Sequence, residues 1–200
     1  MPLLQTQEHN DTRIAIWNIT ESEDFFSQAL GFGSEQKHPK RRLEHLSGRF
    51  LLQLLVPGFP FERISIHPLG KPMLEDNSIW FSISHSFPYA AAIVSTQKSV
   101  GIDIQVYQEK ILRLQSKFLS AAEQEITAEN MHRITLAWCA KEALFKYYGL
   151  GAVDFKADMP ISAMDLLSED RFSIRMSLQK TREECTLSGQ LHPDFAISYM

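Results

Sequence analysis

The chain has 200 residues, 44% of them hydrophobic and 22% charged, which is ordinary for a globular protein and sufficient for one sizeable core or two small fused ones. Its net charge of −4 at pH 7 argues against a nucleic-acid partner, since coating nucleic acid needs a basic surface. With two cysteines, no apolar run of the roughly 20 residues that span a bilayer and no signal peptide, we expect a reduced, cytoplasmic chain that does not bind a membrane.

The first 56 residues predict one strand and two helices. RIAIWNI, residues 13 to 19, alternates and is rich in β-formers, whereas ESEDFFSQALG, residues 21 to 31, begins with acidic residues and ends on glycine, as a short helix does. In residues 38 to 56, leucine and phenylalanine recur at helical spacing. That pattern predicts an amphipathic helix with a basic start.

The middle of the chain predicts loops and then strands. Residues 57 to 78 are rich in Pro, Gly and polar residues, with a short strand at RISIH and a tight turn at GKP. IWFSISHS, YAAAIVS and VGIDIQVY follow as three strands.

The C-terminal part predicts two helical stretches, at about 109 to 130 and 131 to 148. Three alternating segments, RFSIRMSLQ, CTLSGQLH and FAISYM, then read as antiparallel strands. Strands with helices interspersed in both halves predict an α+β fold.

The strand predicted at residues 100 to 107 carries an aspartate, Asp103, on one of its two faces. In VGIDIQVY, side chains alternate, so Asp103 shares a face with Gly101 and Gln105. The alternative is an aspartate at a strand edge that faces water.

The segment WCAKEALFKYYG, residues 138 to 149, carries Lys141, Glu142 and Lys146 among aromatic residues. Glu142 and Lys146 are four apart, so both lie on one side of a helix. An ordinary surface salt bridge, worth ~0.3–0.5 kcal/mol, is the alternative. The aromatic neighbours favour a carboxylate that needs a cation or a metal to offset its desolvation.

Oxygen ligands from one strand, Asp103, and one helix, Glu142, suit Mg²⁺, which takes one or two protein carboxylates together with phosphate oxygens and water. Zinc is not expected, because the histidines and cysteines lack zinc-ligand spacing. Cys139 has no histidine near it in sequence and is interpreted as a packing residue.

Cations for a phosphate are concentrated in one segment. Between residues 37 and 49 lie five of the 20 basic residues: Lys37, Lys40, Arg41, Arg42 and Arg49. A solvated helix face is one interpretation and an anion site is the other. In FSISHS, Ser84 and His85 end a strand, and His85 is either a core histidine or a phosphate donor.

Five motifs in order carry a resemblance to the 4′-phosphopantetheinyl transferases. The chain is most similar to the larger, pseudo-dimeric type, which activates peptide synthetases such as that for surfactin. The resemblance covers about Lys40 to Phe155. Its motifs are GKPxL at 70–74, FSISHS at 81–86, VGIDIQ at 100–105, KFLSAAE at 117–123 and WCAKEALFK at 138–146.

The resemblance implies two similar α+β halves, residues 1–98 and 99–200, related by a pseudo-twofold axis with the active site between them, in a monomer. It implies an enzyme that moves the phosphopantetheine arm of coenzyme A onto a serine of an apo acyl or peptidyl carrier protein and releases adenosine 3′,5′-bisphosphate. The carrier and the preference for Mg²⁺ over Mn²⁺ stay open.

The resemblance also assigns roles to residues. Asp103 and Glu142 hold Mg²⁺, Glu142 helps to deprotonate the serine, and Lys146 neutralises the pyrophosphate, so the charges of the 138–149 helix face phosphates and metal. The assigned coenzyme A contacts are Lys40, Arg42, Arg49 and His85 at the 3′-phosphate and Lys71 and Ser84 beside the nucleotide. The assigned carrier contacts are residues 107–118, with Lys110, Arg113 and Lys117 at the edge, and Phe145.

One position departs from the family pattern, because Gln105 stands where many larger members have a third metal-facing Glu. A neutral side-chain oxygen or a held water at Gln105 is then the expected metal contact. The leading alternative function is a non-catalytic coenzyme A or nucleotide-binding module, and a structural protein with chance motifs is a third. The set Asp103, Glu142 and Lys146 favours transfer, since these residues serve chemistry more than binding.

Overall fold

The computed structural model describes residues 2–9 and 11–200. Contacts within the chain divide it into two units, Met1–Val100 and Gly101–Met200. Within the described residues, no helix has the length and apolar composition required to cross a membrane.

The N-terminal unit contains a four-stranded antiparallel sheet with strand order β1-β2-β6-β5 and a separate two-stranded hairpin, β3-β4. Its elements are β1 Leu3–His9, β2 Thr12–Asn18, α1 Glu23–Leu30, α2 Pro39–Leu55, β3 Ile64–Ile66, β4 Pro72–Leu74, β5 Trp80–Ser86 and β6 Tyr89–Ser95.

Helix α2 covers this sheet with its apolar stripe. Leu51, Leu52 and Leu55 are buried in one core with β2, β5 and β6. Leu55 lies four residues after Leu51 and three after Leu52, which is the spacing of one helix face. Gly48 faces Ile83 of β5, where an added Cβ would lie 2.6 Å from the Ile83 Cγ2 atom. This close approach brings the polar side of α2 next to the end of β5.

The C-terminal unit contains a five-stranded antiparallel sheet with strand order β7-β11-β10-β9-β8. Its elements are β7 Ile102–Val106, α3 Lys110–Phe118, α4 Ala121–Thr127, α5 Met131–Tyr148, β8 Ile161–Leu166, β9 Arg171–Leu178, β10 Glu183–Leu191 and β11 Phe195–Tyr199.

Helix α5 lies against β7 and β11 and is buried on more than one side. Residues as far apart around the helix as Ala137, Cys139 and Leu144 have no exposed surface. A helix buried all round shows no clear apolar stripe, so its sequence alone does not reveal which side faces the sheet.

The α+β class is confirmed, and most predicted elements form where the sequence places them. The stretch at 109–130 was predicted as one helix and is two, because Ser120 begins α4 with a capping box that includes Glu123. The sequence carried this signal as Ser-x-x-Glu. Strands β1, β4 and β8 were not predicted, and the pseudo-twofold relation stays a prediction.

Candidate functional site

Asp103 and Lys146 form an ion pair between β7 and α5. The Lys146 Nζ lies 2.7 Å from the Asp103 Oδ1 and also donates to the Ile102 carbonyl at 3.0 Å. Asp103 is only 6% exposed, so the pair is held by directional contacts in a largely dry place. The alternative interpretation was a surface salt bridge of Lys146 with Glu142, whereas Lys146 forms its ion pair with Asp103 of β7.

Glu142 lies one turn before Lys146 on α5 and is half-buried. Burial, and then the negative charge of Asp103, raise the pKa of Glu142 to about 7, while Lys146 acts in the opposite direction. Two carboxylates therefore share a region that contains one lysine ammonium. The net negative charge of this arrangement can attract a cation. Glu142, with its raised pKa, can also take up a proton near neutral pH.

Gly101 explains how α5 comes so close to β7. An added Cβ at Gly101 would lie 2.0 Å from the Ala143 carbonyl oxygen and 2.8 Å from the Tyr147 nitrogen. Helix backbone thus packs directly on the residue that precedes the strand, with no side chain between them. The contact sets the distance from Asp103 to the side chains of α5.

The chemistry of these donors fits Mg²⁺. Two carboxylates, Asp103 and Glu142, are the usual protein contribution to a magnesium site that also takes substrate phosphate oxygens. Among the described residues, no group of three or more His, Cys, Asp or Glu could hold a metal ion by itself. Gln105, two residues along β7, donates from its amide nitrogen to the Val106 carbonyl at 3.2 Å.

Lys141 does not join this site, so the expectation that all three helix charges face phosphates and metal is wrong for it. Its side chain is completely buried and pairs with Glu123 at 2.5 Å. The physical reason is helical geometry: Lys141 lies about 100° around the helix from Glu142. Cys139 is a buried free cysteine, as its interpretation as a packing residue requires.

The N-terminal unit has a cavity of about 350 Å³ on the polar side of α2, here called the α2 cavity. Its lining includes Arg41, Glu44, His45, Arg49, Ile83 and His85. Glu44 is 4% exposed and lies 3.2 Å from the Arg41 guanidinium and 3.5 Å from the His85 Nδ1. A buried carboxylate thus orients one guanidinium and one imidazole at the cavity wall.

His45 is a lining residue that the sequence did not single out. Burial, and then the charges of Arg49 and His85, lower the pKa of His45 to about 4, so the imidazole is neutral near pH 7. Its buried Nδ1 has no hydrogen-bond partner among the described residues. The signal in the sequence was its position four residues before Arg49, which places both on one side of α2.

The structure does not bring Arg42 to the α2 cavity. Its guanidinium pairs with Glu23 of α1 at 2.7 Å and donates to the Gln36 and Lys37 carbonyls. Arg41 occupies the cavity wall instead. Arg41 and Arg42 point about 100° apart around the helix because they are consecutive residues. The Glu23 carboxylate of α1 lies on the side of Arg42.

The other sequence candidates of this unit are distributed around β5 and the hairpin. Lys40 lies 4.0 Å from Glu44 and over the Phe87 ring, and Ser84 is buried on β5. The Lys71 ammonium donates to the Ser99 hydroxyl at 3.3 Å, and burial lowers the pKa of Lys71 to about 8.

The predicted carrier contacts fall mostly on α3. This helix carries Lys110, Arg113 and Lys117 together with two exposed leucines, Leu112 and Leu114. Exposed apolar side chains among cations suit an acidic, partly apolar partner.

Comparison with known proteins gives one family. The model of the 4′-phosphopantetheinyl transferase superfamily matches residues 99–200, which is the whole of the C-terminal unit and the two residues before it. The chain is 30% identical over 140 residues to a candidate 4′-phosphopantetheinyl transferase of Synechocystis sp. and 31% identical over 130 residues to one of Haemophilus influenzae. It is 32% identical over 117 residues to the 4′-phosphopantetheinyl transferase AcpT of Salmonella typhi.

These alignments cover 62%, 59% and 54% of this chain. They cover 57%, 54% and 60% of the relatives themselves. The chain therefore matches less than two thirds of the length of each relative.

Proposed function

Since the chain belongs to the 4′-phosphopantetheinyl transferase superfamily, we propose that it transfers the 4′-phosphopantetheine arm of coenzyme A to a serine of an apo acyl or peptidyl carrier protein. The observation that carries the proposal is the cluster of Asp103, Lys146 and Glu142, in which Asp103 and Lys146 form a partly buried ion pair and burial raises the pKa of Glu142 to about 7. Binding alone would not need a carboxylate poised to exchange a proton.

In the proposed reaction Glu142 takes the proton of the serine hydroxyl, directly or through a water. The serine oxygen forms a bond to the phosphorus that carries the pantetheine arm, and adenosine 3′,5′-bisphosphate leaves. Lys146, held in place by Asp103, stabilises the charge that develops on the leaving phosphate. Mg²⁺, when bound by Asp103 and Glu142, would supply further positive charge at the pyrophosphate.

The α2 cavity is proposed to take the 3′-phosphate of coenzyme A. A phosphate monoester carries about −1.5 to −2 charges near pH 7, and the cavity lining includes the hydrogen-bond donors Arg49, Arg41 and His85. His45 is neutral there and adds a hydrogen-bonding group without more charge.

The test is incubation of the protein with coenzyme A, Mg²⁺ and a panel of apo carriers from fatty-acid, polyketide and peptide synthesis. Intact mass spectrometry should show the addition of one phosphopantetheine group to at least one carrier. Binding of coenzyme A with no modified carrier in the panel would favour the alternative, a non-catalytic coenzyme A-binding module.

Arg49→Ala is expected to raise the KM for coenzyme A by about 10- to 100-fold, the equivalent of one hydrogen bond to a charged group. The KM for 3′-dephospho-coenzyme A should change much less, because that substrate lacks the phosphate that Arg49 would contact. Initial rates with both substrates measure this.

Arg42→Ala is the matched comparison, since its guanidinium is bound to Glu23. We expect Arg42→Ala to change the KM for coenzyme A and the KM for 3′-dephospho-coenzyme A by the same factor. A selective effect of Arg42→Ala, with none from Arg49→Ala, would show that the 3′-phosphate is bound by Arg42 and not in the α2 cavity.

Gln105→Glu is expected to lower the Mg²⁺ concentration that gives half-maximal activity. Residue 105 is ~7 Å along β7 from Asp103 and on the same face, and the affinity of an oxygen site for a hard cation rises with the number of anionic ligands. The measurement is a Mg²⁺ titration of both forms at saturating coenzyme A and carrier. An equal or higher half-maximal concentration in the variant would remove residue 105 from the proposed metal site.

A further inference from the structure

The most buried charges of the C-terminal unit lie outside the candidate site. Lys141 is 0% exposed and Glu123 is 2% exposed, and the Lys141 Nζ lies 2.5 Å from the Glu123 Oε1. The same ammonium donates to the carbonyls of Phe155 at 2.7 Å and Met159 at 3.0 Å. All three of its protons therefore have an acceptor.

Both carboxylate oxygens of Glu123 also accept hydrogen bonds. Its Oε1 also accepts from the Ile161 nitrogen at 2.9 Å, and its Oε2 accepts from the Ser120 nitrogen at 2.6 Å. Five hydrogen bonds thus meet at the Lys141–Glu123 pair. They join the start of α4, the middle of α5 and the segment that leads into β8.

The Lys141–Glu123 pair lies on the side of α5 that faces away from β7. With 100° per residue, Lys141 lies about 200° around the helix from Ala143, whose carbonyl meets Gly101. The β7 contact and the buried pair therefore hold α5 from two nearly opposite sides.

Stability alone does not account for a buried ion pair, because desolvation offsets much of its attraction and well-packed apolar residues often stabilise as much. What the pair adds is direction. Apolar packing tolerates small rotations of a helix. Three hydrogen bonds donated by one ammonium instead fix how the helix is rotated about its axis and where it lies along that axis.

We propose that the Lys141–Glu123 pair is a positioning pair that sets the rotation of α5, so that Glu142 and Lys146 meet Asp103. Neither residue contacts substrate, and both act through α5. The inference rests on the proposed transferase function for its kinetic consequence, although the placement of the helix can be measured without it.

The test uses the double variant Lys141→Met, Glu123→Gln in the full chain. It removes both charges, nearly keeps the side-chain volumes and leaves an amide oxygen that can accept from Ile161. Lys180→Met is the matched control, since it removes an ammonium from a surface ion pair of the same unit, 3.3 Å from Asp158. All forms are assayed well below their melting temperatures.

We expect kcat to fall about 10- to 100-fold, as when partners that orient ligands are removed. The half-maximal Mg²⁺ concentration should rise, and the KM for coenzyme A should change by less than about twofold. Calorimetric titration with Mg²⁺ alone should show weaker binding, and hydrogen exchange should show faster exchange of the amides at 142–148. Lys180→Met should leave all five quantities unchanged.

A merely structural role gives a different pattern. Loss of folded protein would lower kcat but leave the half-maximal Mg²⁺ concentration unchanged, and that result overturns the proposal. If the double variant melts near the assay temperature, Lys141→Arg takes its place, because the guanidinium keeps the charge but cannot reproduce the geometry of the ammonium. Wild-type protein without transfer activity would instead refute the proposed function, while Mg²⁺ binding and hydrogen exchange still test the positioning pair.

Discussion

Asp103→Ala should abolish transfer to the carrier while the fold is retained. The change removes a proposed metal ligand and the partner of Lys146, and removing one preorganised electrostatic contact typically lowers kcat about 10²- to 10³-fold. The side chain contributes little apolar burial, so the circular dichroism spectrum should stay close to wild type, while the melting temperature should fall because Lys146 loses the partner of a partly buried ion pair. The measurement is single-turnover modification of apo carrier at saturating coenzyme A.

Asp165→Ala is the control for this prediction. Asp165 is also an aspartate of the C-terminal unit, and it forms an ion pair with Arg175 at 3.2 Å. That pair is exposed, so it contributes little to stability. Its removal should leave transfer unchanged. Full activity of Asp103→Ala at the usual Mg²⁺ concentration would refute both the metal role and the role in holding Lys146.

Gly101→Ala should have a comparably large effect on activity through the backbone. The new Cβ would lie 2.0 Å from the Ala143 carbonyl oxygen, and because the obstruction is backbone, no side chain can move aside. Helix α5 must then shift from β7, at a cost of ~1–3 kcal/mol or more. We expect a lower melting temperature together with a loss of transfer activity that persists well below it.

Gly33→Ala is the matched control. No atom lies within 4 Å of a Cβ built at Gly33, and its backbone is not in the left-handed region, so both stability and activity should stay near wild type. If Gly101→Ala kept full activity at temperatures where it is folded, the close contact of α5 with β7 would not govern the site.

The sequence by itself determined the α+β class and the positions of most helices and strands, because these follow from local periodicity and from capping residues. It also singled out Asp103, Glu142 and Lys146. A charge within an apolar, aromatic segment needs a compensating group, and that requirement is visible without knowing the fold. Membership of the family agrees with the motifs in which these residues lie.

Partnerships between distant residues were decided only by the tertiary structure. Lys141 and Glu142 are neighbours in sequence, yet one pairs with Glu123 in the core and the other lies beside Asp103. Likewise Arg42 pairs with Glu23, while Arg41 lines the α2 cavity. Helix α5 is buried on several sides and α2 has cations on successive positions, so neither periodicity nor charge density indicates which way each side chain points. Only the packing of strands and helices far apart in the chain supplies the carboxylate that selects the direction.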